Sequence, residues 1–222
     1  MAFFDDKGVE MDRIKEIAEA VENGKARLIE GLVLDALEHG QSASEILERG
    51  LSAAMGTVGA LFQAKKIFIP EMLMSAKTMK TGVAVLRPLL GGDGAFKHGK
   101  YIIGTVKGDM HDIGKSLVAL MVGSVGFEVI DLGVDIAPGR FVDAIRANPD
   151  CKVVGASCLL TTTMDSLKAT VKAIAEASFG HSVKVMVGGA PITQEFSDMI
   201  GADAYAPDAA SAAVKAAQLV GA

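Results

Sequence analysis

Apolar residues recur at helical spacing through the first 90 residues of the chain and at strand spacing after residue 100. Ile14, Ile17, Ala18 and Val21 fall three or four apart, as do Ile29, Val33, Ala36 and Leu37, and then Leu47, Leu51, Ala54, Met55 and Val58. Such spacing places them on one face of an amphipathic helix. Gly24 and Gly40 punctuate the segments, and Ser44 is the expected N-cap of the third. Pro70 suits the first turn of a fourth helix carrying Met72, Leu73, Ala76, Met79 and Val83. Four short helices with brief connections predict a small bundle. The stretch Arg87–Lys100, rich in glycine and without a period, reads as a linker.

Beyond it, short β-type runs at Tyr101–Val106, Phe127–Asp131, Val153–Ser157, Val183–Val187 and Ala204–Ala206 alternate with helical patterns. The helical patterns cover about Lys115–Val125, Arg140–Ala147, Met164–Ala177 and Gln194–Ile200, and an alanine-rich helix closes the chain. This alternation predicts an α/β unit, a parallel five-stranded sheet with helices on both faces. Ligands of such sheets bind beyond the carboxyl ends of the strands. The loops of interest are therefore Lys107–Gly114, Ser157–Thr163 and Gly188–Pro191.

Bulk properties narrow the field. Half of the 222 residues are hydrophobic and 22% are charged, the balance of a soluble globular protein. A net charge of −5 leaves no basic footprint, which argues against a nucleic-acid partner. The N-terminus carries acids where an export signal would be basic and then apolar. No apolar run approaches the roughly 18 residues of a membrane span. Cys151 and Cys158 have no metal-type spacing and fit free thiols in a reducing cytoplasm.

The loop Gly108-Asp109-Met110-His111-Asp112-Ile113-Gly114-Lys115-Ser116 leaves a strand and enters a helix, where a phosphate loop would sit. A Walker loop has four residues between its glycines; here there are five, and two are aspartates, which repel phosphate. A Ser-His-Asp hydrolase built from Ser157, His111 and Asp109 is a second reading, but Ser157 lacks the glycine-flanked elbow that exposes such a nucleophile. The bland reading of His111 is a surface histidine beside a helix start. Asp109, two residues away, changes that: a carboxylate beside an imidazole fixes its tautomer and raises its basicity as a metal ligand. Zinc would need two or three further protein ligands. His39, His98 and His181 are scattered, so a metal carried within an organic ring fits better.

Three short motifs now fall into line. Asp109-Met110-His111-Asp112-Ile113-Gly114 is followed after 42 residues by Ser157-Cys158-Leu159, and after 28 more by Gly188-Gly189. In residue type and spacing this resembles the D-x-H-x-x-G, S-x-L, G-G pattern of the cobalamin-binding module of methionine synthase and of corrinoid proteins in methyltransferase systems. The segment Leu61–Pro70 is similar to part of that family's helical cap.

The resemblance implies a helical cap over residues 1–90, a linker at 91–99, and a flavodoxin- or Rossmann-like cobalamin-binding domain over 100–222. It implies His111 as the lower axial ligand of cobalt, Asp109 on the far ring nitrogen, and Ser157 holding Asp109. It places Gly108, Met110, Asp112, Ile113, Gly114, Leu159, Thr161, Gly188, Gly189 and Ala190 around the cofactor and its nucleotide tail. Phe62 and Ile69 would shield the upper face, and Glu48 would contact the cofactor from the cap. For Phe62, Ile69, Met55 and Met72 the bland alternative is bundle core.

The family's cobalt takes a methyl group in its reduced state, and the methylcobalamin so formed passes it on. A chain of this size has no room for a substrate barrel. The resemblance therefore implies a cytoplasmic carrier in one-carbon metabolism, with a substrate-specific methyltransferase, an acceptor methyltransferase using tetrahydrofolate or coenzyme M, and a reductive activase as partners. The glycine-rich segment Gly91–Gly94 is the expected hinge between cap and cofactor domain. A cobalamin-binding sensor, an adenosylcobalamin mutase subunit and a flavodoxin- or receiver-like domain without cobalt are the alternatives. The absence of a basic patch disfavours a DNA-binding sensor. The cap disfavours the mutase, and the motif spacing disfavours a cobalt-free domain.

Overall fold

The computed structural model of the chain describes residues 12–86, 88–90 and 98–221. The chain divides into two compact units, Met1–Ala95 and Phe96–Ala222. The expected hinge, Gly91–Gly94, lies outside the described residues, as does most of the expected linker.

The first unit is helical. α1 (Arg13–Glu22) starts at Asp12, whose carboxylate accepts from the Lys15 amide. α2 (Ile29–Glu38) follows, tied to α1 by Arg13 and Asp35 at 2.6 Å. The third expected helix is more elaborate. α3 (Ala43–Glu45) runs without a break through a π-helical stretch (Ile46–Ser52) into α4 (Ala53–Gln63). Its N-cap is Ser42, not Ser44: Ser42 Oγ accepts from the Glu45 amide at 3.1 Å, the reach from a cap to the third helical residue. α5 (Ile69–Leu86) carries Pro70 in its first turn. The stripes Ile14/Ile17/Val21, Ile29/Val33/Ala36, Leu51/Met55/Val58 and Met72/Ala76/Met79 are all buried. Leu73, grouped with the last stripe by spacing, is exposed instead.

The second unit is a five-stranded parallel sheet, order β2-β1-β3-β4-β5. Its strands are β1 (Lys100–Thr105), β2 (Glu128–Asp131), β3 (Cys151–Ser157), β4 (Lys184–Gly188) and β5 (Ala204–Ala206). α6 (Ile113–Ser124) and α10 (Ala209–Leu219) pack on one face; α7 (Pro138–Arg146), α8 (Met164–Glu176) and α9 (Gln194–Ile200) pack on the other. The two faces give two cores, one around Tyr101, Ile103, Phe127 and Val153, the other around Ile102, Phe141, Val154 and Leu167. β1 and β3 are covered on both sides, hence their near-continuous hydrophobic sequences.

This order fixes where a ligand can bind. β1 connects to β2 on one side, and β3 connects to β4 on the other. The crossovers diverge between β1 and β3 and leave a crevice at their carboxyl ends.

Candidate functional site

Two loops meet at that crevice. Beyond β1, Gly108 turns the chain with φ +85° and Asp109 drops its side chain into the protein, fully buried. Asp109 Oδ1 accepts from the His111 amide at 3.0 Å and faces His111 Nδ1 at 2.6 Å. The pairing expected from extended backbone is thus made by an Asx-type turn, in which the carboxylate caps the amide two residues on. Oδ2 accepts from the Leu159 amide at 2.6 Å, from the Leu160 amide at 3.3 Å, and from Thr163 Oγ1 at 3.3 Å. Burial pushes the Asp109 pKa up, but the donors of Leu159, His111 and Leu160 outweigh it and hold the carboxyl down at about 2.

His111 is held at three points. Besides its amide and Nδ1, its carbonyl accepts from buried Thr105 Oγ1 at 2.7 Å. Its ring is nonetheless half exposed, and Nε2 makes no hydrogen bond to the described residues. Nδ1 donates to the ionised carboxylate, which leaves Nε2 as the ring nitrogen that could serve a metal.

Ser157 does not hold Asp109. It ends β3, where side chains alternate between faces. Val154, Ala156 and Cys158 point into the α7–α8 core and Val153 into the α6–α10 core, so Ser157 shares the face of Val153. Thr163 lies on the Cys158 side, its Oγ1 3.3 Å from Cys158 Sγ, and its one proton is shared between the Asp109 carboxylate at 3.3 Å and the Leu160 carbonyl at 3.0 Å. Thr163 and Thr105 are residues that sequence reasoning missed. Only their hydroxyls distinguish them in the sequence, and a threonine in a strand or in a Thr161–Thr163 run is unremarkable without the fold. Among the described residues the Ser157 hydroxyl makes no hydrogen bond to Asp109 or His111, so no Ser-His-Asp triad is formed. The Walker-like reading also fails, because buried Lys115 pairs its ammonium with Asp131 at the end of β2.

The surroundings of His111 are apolar and open. Met110, Ile113, Leu159 and Leu160 are large hydrophobic side chains on these same two loops, all exposed. Asp112 precedes α6 and is exposed, and its carbonyl accepts from the Ser116 amide at 2.8 Å. Thr161 is exposed in a 3-10 turn, and Gly188 closes β4 beside Ser157. Ala190 is exposed just beyond.

The glycines divide in two. Gly189, at φ +126°, would place a Cβ 1.8 Å from the Cys158 carbonyl oxygen, and Gly188 one 2.7 Å from that of Ala206. The fold itself demands these two, not only a ligand. A Cβ on exposed Gly114 would meet nothing within 4 Å, so the fold leaves that position free.

In the helical unit Met55 and Met72 are buried, as bundle core should be. Phe62 is half-buried, Ile69 is 44% exposed, and Glu48 is exposed within the π-helical stretch. Ile69 therefore does not belong to the core, and Phe62 lies at its margin.

Among the described residues, no group of three or more His, Cys, Asp or Glu side chains could hold a metal ion. The fit is to a metal carried in a flat apolar ring: one outward imidazole nitrogen, a collar of exposed hydrophobic residues, and an open cradle at Gly114.

Comparison with known proteins agrees. A B12 binding domain model matches residues 99–215, and a second B12 binding domain model matches residues 13–87. This chain belongs to the B12-binding corrinoid proteins. The corrinoid protein is 41% identical over 210 residues to dimethylamine corrinoid protein 3 of Methanosarcina acetivorans, covering 93% of this chain and 96% of that one. It is 35% identical over 214 residues to a corrinoid protein of Desulfitobacterium hafniense, covering 95% and 99%. Among solved structures it is similar to a cobalamin-binding protein of Desulfitobacterium hafniense, with TM-score 0.78, 28% identity and 94% and 98% coverage. It is also similar to a chain of the methanol:cobalamin methyltransferase complex of Methanosarcina barkeri, with TM-score 0.79, 26% identity and 95% and 81% coverage. The cofactor of the corrinoid protein is cobalamin or a related corrinoid, with cobalt at its centre. No helix among the described residues is long and apolar enough to cross a membrane.

Proposed function

We propose that this corrinoid protein is a methyl carrier for a methylated amine, and that His111 Nε2 is the lower axial ligand of its cobalt. The buried Asp109 carboxylate on His111 Nδ1 carries the ligand reading. When bound, the corrinoid supplies a cobalt centre that can accept a methyl group from one partner and yield it to another. Asp109 fixes the imidazole tautomer, orients the ring and raises its basicity toward a metal. The donors of Leu159, His111 and Leu160 keep Asp109 ionised, so the pair stays polarised at neutral pH. Met110, Ile113, Leu159 and Leu160 offer apolar surface to the corrin ring. Gly108, Asp112, Gly114, Thr161, Gly188, Gly189 and Ala190 border the space for the nucleotide tail.

From the helical unit, Phe62 and Ile69 shield the upper face and Glu48 contacts the cofactor. The exposure of Ile69 supports this reading, since a side chain engaged in the bundle core would not be free to do so. Residues 1–90 act as the cap, 91–99 as the linker and 100–222 as the cofactor domain.

The methylated amine is inferred from the dimethylamine corrinoid proteins among the relatives. The partners are a methylamine-specific methyltransferase, a second methyltransferase that passes the group to tetrahydrofolate or coenzyme M, and a reductive activase, all in the cytoplasm. The test is to load the protein with cobalamin, reduce it, and add a dimethylamine methyltransferase with dimethylamine. The visible spectrum should convert to that of the methylated cofactor only when enzyme and amine are both present. Conversion with methanol and its methyltransferase, but not with dimethylamine, would contradict the donor assignment.

A further inference from the structure

Asp135 occupies an unusual place. It and Lys65 are the two non-glycine residues with positive φ among the described residues, at +58° and +57°. Such backbone is disfavoured for a residue with a Cβ, and it persists where surrounding contacts over-determine it.

The cause is an interruption of the β1–β2 ladder. Ile103 pairs with Asp131 in regular register, but Val106 pairs with Ile136. The β2 side is two residues longer over this interval. The Thr105 amide donates to Gly133 O at 3.0 Å and its carbonyl accepts from the Ile136 amide at 2.9 Å, so Val134 and Asp135 bulge out between these bonds. Bulges of this kind re-aim side chains beside functional sites.

Here the bulge is aimed at the His111 loop. Asp135 Oδ1 accepts from the Gly108 amide at 2.7 Å, and the Asp135 amide donates to the Asp109 carbonyl at 3.0 Å. The two bonds form a reciprocal clasp on Gly108–Asp109. Asp135 Oδ2 also pairs with Lys107 Nζ at 2.9 Å, but both side chains of that pair are exposed, and water screens it. The bonds to Gly108 and Asp109 are what fix the loop. Asp109 is thus held from two sides: its carboxylate by the loop after β3, and its backbone by the bulge after β2.

We infer that Asp135 is a positioning residue for the Asp109–His111 pair, acting through Gly108 and the Asp109 backbone. This rests on the proposed ligand role of His111. Among the described residues Asp135 makes no hydrogen bond to His111, and its effect is on the direction in which Asp109 presents its carboxylate.

Two substitutions separate the clasp from the backbone strain. Asp135→Gly accepts the positive φ but removes the carboxylate. Asp135→Asn keeps an oxygen that can accept from Gly108. Binding is read with cobinamide, which has no lower base of its own, by visible titration of the full-length protein. Asp135→Gly should weaken cobinamide binding about fivefold, less than the roughly 10-fold to 100-fold expected on losing a direct partner of the ligand. Asp135→Asn should bind within about twofold of the wild type. In the protein without cofactor, the Gly108 amide should exchange with solvent faster in Asp135→Gly and not in Asp135→Asn. Equal cobinamide affinity in Asp135→Gly and wild type, or equal loss in both variants, would overturn the inference. His111→Ala serves as the separate control: if it binds cobinamide as the wild type does, the ligand reading fails and this inference falls with it. If it binds weakly while Asp135→Gly does not, only the inference falls.

Discussion

Asp109 Oδ1 lies 2.6 Å from His111 Nδ1, so a fully buried carboxylate grips a ring that is half open to solvent. The buried member is saturated with donors, whereas the exposed one keeps Nε2 unengaged. That asymmetry is what a ligand to an externally carried metal needs: a fixed ring with an available lone pair.

Asp109→Asn is expected to do more damage than its small size change suggests. One amide position would present N–H groups to the N–H donors of Leu159, Leu160 or His111. A buried donor left unsatisfied costs about 1–3 kcal/mol. Urea unfolding should show a loss of that order, and corrinoid affinity should fall about 10-fold or more. Unchanged unfolding and unchanged affinity would contradict the hydrogen-bond assignment.

Thr163 and Ser157 can be told apart directly. Thr163→Ala removes a buried donor to Asp109 and should cost about 1 kcal/mol of stability, with Thr163→Ser largely retaining it. Ser157→Ala should stay within about 0.5 kcal/mol. Paired thermal melts would settle the order, and a larger effect at Ser157 would reverse the assignment made here.

Gly189 and Gly114 should respond in opposite ways. Gly189→Ala drives a methyl group into the Cys158 carbonyl at a positive φ, and a loss of about 3 kcal/mol or a failure to fold is expected. Gly114→Ala places its methyl group in open space near the start of α6. It should leave the melting temperature of the cofactor-free protein unchanged or slightly higher, because alanine favours helix. If the corrinoid approaches Gly114 closely, the same variant should bind cobalamin more weakly by equilibrium titration. Undiminished binding would remove Gly114 from the site.

Acid should destabilise the cofactor domain through Asp109. Its folded pKa of about 2 lies below the ordinary carboxylate value of about 3.8. The unfolded chain therefore takes up the proton first. The stabilising contribution is fully present above about pH 4 and is lost as the pH falls from there toward 2. Unfolding free energies measured across that window should decline in the wild type, and the decline should be shallower in Asp109→Asn. Parallel curves would show that other carboxylates dominate.

The alternation of strands and helices was legible because β1, β3 and β4 are apolar runs bounded by glycine and polar loops. Period alone recovered the buried stripes of the bundle. It could not reveal the π-helical stretch at Ile46–Ser52, since a single extra residue per turn barely alters the spacing. Asp109 and His111 were legible as a pair because they are two residues apart. The hydroxyl beside the Asp109 carboxylate was not, because which of Ser157 and Thr163 comes within reach depends on how the loop after β3 turns, and a turn leaves no mark in residue spacing. Asp135 was silent for a related reason: it reaches Gly108 only through a bulge, and a bulge leaves no periodic trace.

The most direct measurement is the electron paramagnetic resonance spectrum of the protein loaded with Co(II) cobalamin, prepared with ordinary histidine and with histidine carrying the heavy nitrogen isotope. Ligation by His111 Nε2 should give a three-line nitrogen splitting that becomes two lines on labelling and disappears, or reverts to that of the cofactor's own base, in His111→Ala. A splitting that ignores the label and survives His111→Ala would contradict the placement of His111 beneath the cobalt.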